Sequence, residues 1–151
     1  MHRLLAITSF VCSLASAGCA TEAAQATVRS DGPEAVVRQH IAAQNAHSID
    51  AILGTLADTV TVTVPRTGGD SSFHADRAAQ RAMFSRSITA LPSSHLEILN
   101  VLVSGRVVVT RERLTGFASG ASDVGASAYW VTNGRIVREQ ILSVSERSVS
   151  P

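Results

Sequence analysis

The apolar positions change period along the chain, and each change predicts an element. Leu4–Leu14 is a mostly apolar run, whereas Thr21–Ser30 shows no apolar period at all. Asp31-Gly32-Pro33-Glu34 reads as a helix start, with Asp31 as N-cap and Glu34 at N3, an Asp variant of the capping box. Val37, Ile41, Gln44 and Asn45 follow at helical spacing. Ser48 can cap a second short helix through Ala57, with Ile49, Ile52, Leu53 and Leu56 as its buried stripe.

The period then shortens to two. Thr59-Val60-Thr61-Val62-Thr63-Val64 alternates as a half-buried strand does, and Pro65 ends it. Thr67–Ser72 reads as a loop. Asp76 opens a third helix to about Ala90, with Ala79, Met83, Ser87 and Ile88 along one side, and Pro92 stops it. The rest is strand: Leu96–Ser104, a Gly105-Arg106 turn, Val107–Phe117, a loop over Ala118–Gly125, then Ala126–Thr132 and Arg135–Val144. Asn133-Gly134 between the last two is the favoured type I′ hairpin pair. Helix, helix, strand, helix and then antiparallel strands describe an α+β domain, a sheet curled around helices packed on one face.

Composition narrows the function classes. The 151 residues suffice for one core, and 45% are apolar against 17% charged. All 13 basic residues are Arg, with no Lys, a pattern of coding bias in a GC-rich genome. Removing Arg3 with the N-terminal segment leaves 12 Arg against 12 acids, so no field steers the chain to nucleic acid or an anionic membrane. Six aromatics are too few for a broad stacking surface.

Met1-His2-Arg3, the apolar run and Ala15-Ser16-Ala17-Gly18-Cys19 form the three parts of an export signal, 1–18. The run falls short of the ~20 residues that a permanent transmembrane helix needs. Two cuts fit. Ser16-Ala17-Gly18-Cys19 resembles a bacterial lipobox, with Ser16 where a branched apolar residue is preferred; this would lipidate Cys19. Ala15-Ser16-Ala17 is alternatively an A-x-A site giving a soluble periplasmic or secreted product. Cys12 leaves with the signal, so no disulfide can form within the mature chain. The expected organisation is a tether over 19–31, a domain over 32–146 and a tail over 147–151.

Four segments resemble the nuclear-transport-factor-2-like (SnoaL-like) superfamily. His40-Ile41-Ala42-Ala43-Gln44-Asn45-Ala46-His47-Ser48-Ile49-Asp50 resembles its Ala-rich helix, turn and Ile-Asp opening. Leu56–Val62 resembles its entry into the first strand. Phe73-His74-Ala75-Asp76-Arg77 resembles its third-helix start, and Tyr129–Glu139 its terminal hairpin. The resemblance covers Pro33–Ser143 and implies a cone-shaped, cystatin-like roll: a curved, mostly antiparallel sheet around about three helices, enclosing an apolar pocket. Members include ketosteroid isomerases, polyketide cyclases and epoxide hydrolases.

The resemblance also tests one mechanism. Ketosteroid isomerases use a Tyr and a protonated Asp as oxyanion hole, and a second Asp as base. By motif these positions fall on His40, near Ala128, and on Val64. An apolar residue at the base position leaves that mechanism without a proton acceptor.

Other chemistry rests on His40, Glu112 and Glu139. The resemblance places His40, Val62, Val64, His74, Met83, Tyr129 and Trp130 about a ligand pocket. In the 107–117 strand Arg111 and Arg113 share one face and Glu112 the other, but valines occur in both parities and do not settle which face is inside. Glu112 is either a pocket acid acting with His40 or part of an outer ladder, as Glu112–Arg138 or Arg113–Glu139. His47 is expected exposed between helices, and His95 at a strand start. The histidines make no H-x-H or H-x₃-H pair, so neither metal nor cofactor is expected. The expected ligand is a small apolar or amphipathic molecule or an envelope partner. Membrane contact would come only through a lipid at Cys19, and Tyr129 and Trp130 would serve the core or a homodimer through the sheet face.

Overall fold

The computed structural model describes residues 32–148, with side chains through 142. The export signal, Cys19, the 19–31 tether with Asp31, and the end of the tail lie outside the described residues. The elements in order are α1 (Pro33–Asn45), α2 (Ile49–Thr55), β1 (Leu56–Val64), β2 (Ser71–Asp76), α3 (Arg77–Ala90), β3 (His95–Ser104), β4 (Val107–Thr115), β5 (Ser122–Thr132) and β6 (Arg135–Ser148). One six-stranded sheet runs β2-β1-β6-β5-β4-β3. Its pairs are antiparallel except β1–β6, which is parallel. The fold is α+β, a mixed curved sheet with three helices. No described helix is long and apolar enough to cross a membrane.

Each helix begins where the local chemistry permits. Pro33 stands at the first turn of α1, where its missing N–H removes a donor that would lack a partner anyway. Gly32 is the N-cap, without a side-chain bond. Ser48 is the N-cap of α2, yet its hydroxyl makes no cap bond; Ile52 N–H reaches the Ser48 carbonyl at 2.9 Å instead. Asp76 caps α3 by accepting from Ala79 N–H at 2.8 Å.

Several sequence expectations need correction: α2 ends at Thr55, with Leu56 and Ala57 opening β1 instead, and β5 begins at Ser122, inside the expected 118–125 loop. The predicted 67–72 loop gives way at Ser71 to strand β2, which runs to the cap of α3. Only Ala75 on it is buried, so it lacks the alternation that marks a strand. It is an edge, held to β1 by Thr63–Ser72 and Thr61–His74 side-chain bonds of 2.8 and 3.1 Å. The face of α3 also differs: Gln80 and Phe84 are its buried residues, Met83 and Ile88 are half-buried, and Ala79 is exposed. Gln80 earns burial through polarity, its amide donating to the Ala57 and Ala75 carbonyls at 3.1 and 2.9 Å.

The core lies between the helices and the concave sheet face. Val37, Ile41, Ile52, Leu56, Val60, Val108, Tyr129 and Ile136 are its most buried members. Two arginines seal the junction where α2 gives way to β1. Arg77 binds the Leu53 and Leu56 carbonyls and Asp58, and Arg135 binds the Gly54 and Leu56 carbonyls at 3.0 and 3.1 Å. These bind carbonyls at the C-terminal end of the seven-residue helix, where the intrahelical ladder runs out and of the three only Leu53 O gains a backbone donor, the Leu56 N–H. At the far hairpin, Asn133 and Gly134 both take positive φ (51° and 71°), the type I′ geometry.

Candidate functional site

A cavity of about 330 Å³ opens between the helices and strands β3–β6. Gln44 and Asn45 from α1, Ile52 from α2, and Phe84, Ser87 and Ile88 from α3 form one wall. Leu96, Leu114 and Ile141 give the sheet side its apolar surface, and Glu112, Ser127, Tyr129 and Glu139 its polar end. The volume sits at the small end of the ~300–1,000 Å³ range of small-molecule sites.

Strand parity brings the polar end together. Val108, Thr110, Glu112 and Leu114 alternate on the inner face of β4. Arg111 is exposed, and Arg113 meets Glu97 on β3 at 2.7 Å. Glu112 is therefore an interior carboxylate, 8% exposed, and the proposed outer ladder does not form. Arg138, its suggested partner, lies 4.4 Å over the Trp130 ring. Arg113 with Glu97 likewise replaces Arg113 with Glu139.

Glu112 Oε1 accepts from the Tyr129 hydroxyl at 3.1 Å and from the Thr110 hydroxyl beside it. Burial, followed by the Glu139 and Glu112 charges, holds the Tyr129 phenol well above its ordinary range. The phenol is thus protonated and donates. Glu139 is paired in register with Tyr129 on β5 and with Val62 on β1. The residue keeps some accessible surface where the cavity reaches it, yet its carboxyl is surrounded by protein. That burial, and secondarily the Glu112 charge, raise it from 4.5 to about 7. Among the described residues it makes no hydrogen bond.

His40 stands behind this pair and bonds to neither carboxylate. Its Nδ1 lies 2.7 Å from the Thr55 hydroxyl, which donates its own hydrogen to the Ile52 carbonyl at 2.7 Å. With that hydrogen spent, the contact is Nδ1–H to Thr55 and Nε2 is a bare acceptor. Nε2 is buried without a partner among the described residues, and the ring meets Phe84 and Tyr129 edge-on. Burial lowers its pKa from 6.5 to about 4, so the imidazole is neutral.

The remaining candidates stand away from the cavity wall. Val62 is core, Val64 and Met83 pack against the core, and Trp130 lies on the opposite sheet face with Arg138. His74 is exposed on β2, because that strand turns it outward to Thr61. His95 is exposed as the first residue of β3. His47, expected exposed, is half-buried at the cavity, with Nε2 3.2 Å from the Ser94 carbonyl. Sequence reasoning missed the wall from Asn45 to Leu96. Asn45 holds the start of β3 by bonding both Leu96 N–H (2.7 Å) and its carbonyl (2.9 Å), a role its helical spacing only hinted at.

A model of the SnoaL-like domain family matches residues 37–139. No curated protein matches the chain. Solved structures share the fold. An NTF2-like protein of unknown function from Mesorhizobium loti aligns at TM-score 0.64 and 22% identity, covering 78% of this chain and 94% of its own. IdmH of Streptomyces antibioticus, a candidate polyketide cyclase, aligns at 0.63 and 18%, covering 73% and 90%. A candidate ketosteroid isomerase from Kribbella flavida aligns at 0.62 and 19%, covering 79% and 82%.

Proposed function

The chain belongs to the SnoaL-like domain family, and from that premise we propose that its cavity takes a small amphipathic molecule and exchanges a proton with it at Glu139. The supporting observation is an unbonded carboxyl, raised to about 7, on the wall of an otherwise largely apolar cavity. A group with that pKa is both protonated and ionised at neutral pH, as general acid–base work requires. The expected reaction class is isomerase- or cyclase-like proton transfer. Names of structural neighbours lend it only analogy. The isomerase base position is still Val64, half-buried against the core, so the carboxylate would come from β6 instead.

Glu112 would act on Glu139 through its charge, with Tyr129 keeping that carboxylate oriented. A second reading is ligand binding without turnover. It is favoured by His40, whose one N–H is committed to Thr55, leaving no His–carboxylate relay.

The N-terminal pattern supports an exported protein, anchored by lipid at Cys19 or released into the periplasm or medium. A diacylglyceryl mass on an N-terminal Cys19 supports the anchor, and a mature chain starting at Gly18 contradicts it. A homodimer through the sheet face has support from Leu102 and Leu142, which are 68% and 45% exposed.

The neutral fluorophore N-phenyl-1-naphthylamine tests the cavity. Saturable fluorescence gain in the wild type, abolished by filling the cavity with Ser127→Trp in a folded variant, is the expected result. No saturable binding, or equal binding by the filled variant, overturns the reading.

A further inference from the structure

The polar end of the cavity offers acceptors and negative charge, and no fixed positive charge. Glu112 has one oxygen engaged by Thr110 and Tyr129, and its Oε2 makes no hydrogen bond among the described residues. Neither oxygen of Glu139 makes one. No Arg is among the residues lining the cavity, and the chain has no Lys. Of the donors nearby, the Tyr129 hydroxyl serves Glu112, the Ser127 hydroxyl bonds Tyr129, and the Asn45 amide and His47 Nε2–H hold Leu96 and Ser94. The Gln44 amide and Ser87 hydroxyl on the helix wall stay open among the described residues, and both are neutral. An anionic ligand would meet two carboxylates and no cation to offset its desolvation. A neutral ligand bearing only acceptors would offer these carboxylate lone pairs no donor in place of the water it displaces.

Resting on the cavity reading above, we propose that the ligand is an amphipathic amine, bound as its ammonium between Glu112 Oε2 and Glu139, with its apolar body along Leu96, Leu114 and Ile141. A primary or secondary ammonium brings the donors that this end lacks and the charge that relieves repulsion between two neighbouring carboxylates. Charge-assisted N⁺–H···O⁻ bonds are roughly twice as strong as neutral ones, so the ammonium also gains most from a site screened from water. The apolar wall sets the rest of the preference, because a short hydrophilic amine would leave it wet.

The test displaces N-phenyl-1-naphthylamine at pH 8 with three ligands of one shape: 2-(2-naphthyl)ethylamine, 2-propylnaphthalene and 3-(2-naphthyl)propanoate. The amine is expected to displace at least tenfold more tightly than the hydrocarbon, with the carboxylate weakest. The ratio of amine to hydrocarbon should fall to about twofold or less in Glu139→Gln and substantially in Glu112→Gln. Each variant's thermal melt establishes that it is folded. Equal displacement by amine and hydrocarbon, or an unchanged ratio in both variants, overturns the amine assignment while leaving the cavity reading standing. Failure of the fluorophore to bind the wild type overturns both.

Discussion

Tyr129 on β5 and Glu112 on β4 meet across the inner sheet face, the phenol donating to the carboxylate at 3.1 Å. Both are buried, and neither lies directly opposite the other in register: Tyr129 pairs with Val108, and Glu112 with Gly125. The long phenol spans the offset, and this puts a fixed negative charge beside Glu139. Removing the donor leaves Glu112 short of one of its two bonds in a buried setting. Tyr129→Phe is expected to cost about 1.5–3 kcal/mol, the range for a hydrogen bond to a charged group. Urea unfolding of Tyr129→Phe, Glu112→Gln and the double variant should give a coupling of at least about 1 kcal/mol. Additive effects would mean that the bond contributes little.

His40 and Glu139 pull stability in opposite directions with pH. His40 has a folded pKa of about 4 against 6.5, so the unfolded chain binds more protons between those values. Its contribution is present above 6.5 and lost as pH falls through 4. Glu139 has a folded pKa of about 7 against 4.5, so the native chain binds more protons in that window. Its contribution is present below 4.5 and lost as pH rises through 7. The two nearly cancel in the wild type, and single variants should unmask them. Glu139→Gln should match the wild type near pH 4 and exceed it by up to about 3 kcal/mol at pH 8, at about 1.4 kcal/mol per pKa unit. For His40→Asn the stability gap from wild type should narrow as pH falls from 6.5 to 4. Urea midpoints across pH 4–8 check both, and profiles parallel to the wild type would contradict them.

Arg77 serves the backbone more than it serves its ion pair. Asp58 is almost wholly exposed, so the pair itself is worth ~0–1 kcal/mol. The carbonyls of Leu53 and Leu56 are the larger matter, since each would keep only one donor among the described residues, the Leu56 N–H and Arg135 respectively. Arg77→Met should therefore cost about 2 kcal/mol, with Lys rescuing only part because it lacks the planar fork. Asp58→Asn should cost ~0.5 kcal/mol or less. Chemical denaturation of the three variants decides the order.

Much of the frame was legible because it follows from period and turn chemistry. The Thr–Val alternation of 59–64 marks β1, Asp76 marks the start of α3, and Asn133-Gly134 fixes the last hairpin. What escaped is what polarity or edges conceal. β2 carries one buried side chain, so no alternation announces it. Gln80 is fully buried for its hydrogen bonds, which moves the core side of α3 from Ala79 to Gln80 and Phe84. In β4 the valines fall on both faces, and only pairing settles the parity: Arg113 meets Glu97 outside, which turns Glu112 inward. On β6 the register with β5 does the same: Glu139 stands opposite Tyr129 and enters the cavity, while Arg138 stands opposite Trp130 and stacks on it outside. His40 was legible as an interior residue, but its commitment to Thr55 needs the position of α2.

The most direct test of the central claim is a ¹³C-carboxyl NMR titration of Glu139 in the folded protein, assigned by loss of the signal in Glu139→Gln. A midpoint near 7 that moves down in Glu112→Gln is the expected result, since removing the neighbouring charge removes part of the upward shift. A midpoint near 4.5, indifferent to Glu112, would contradict a proton-exchanging carboxyl in this cavity.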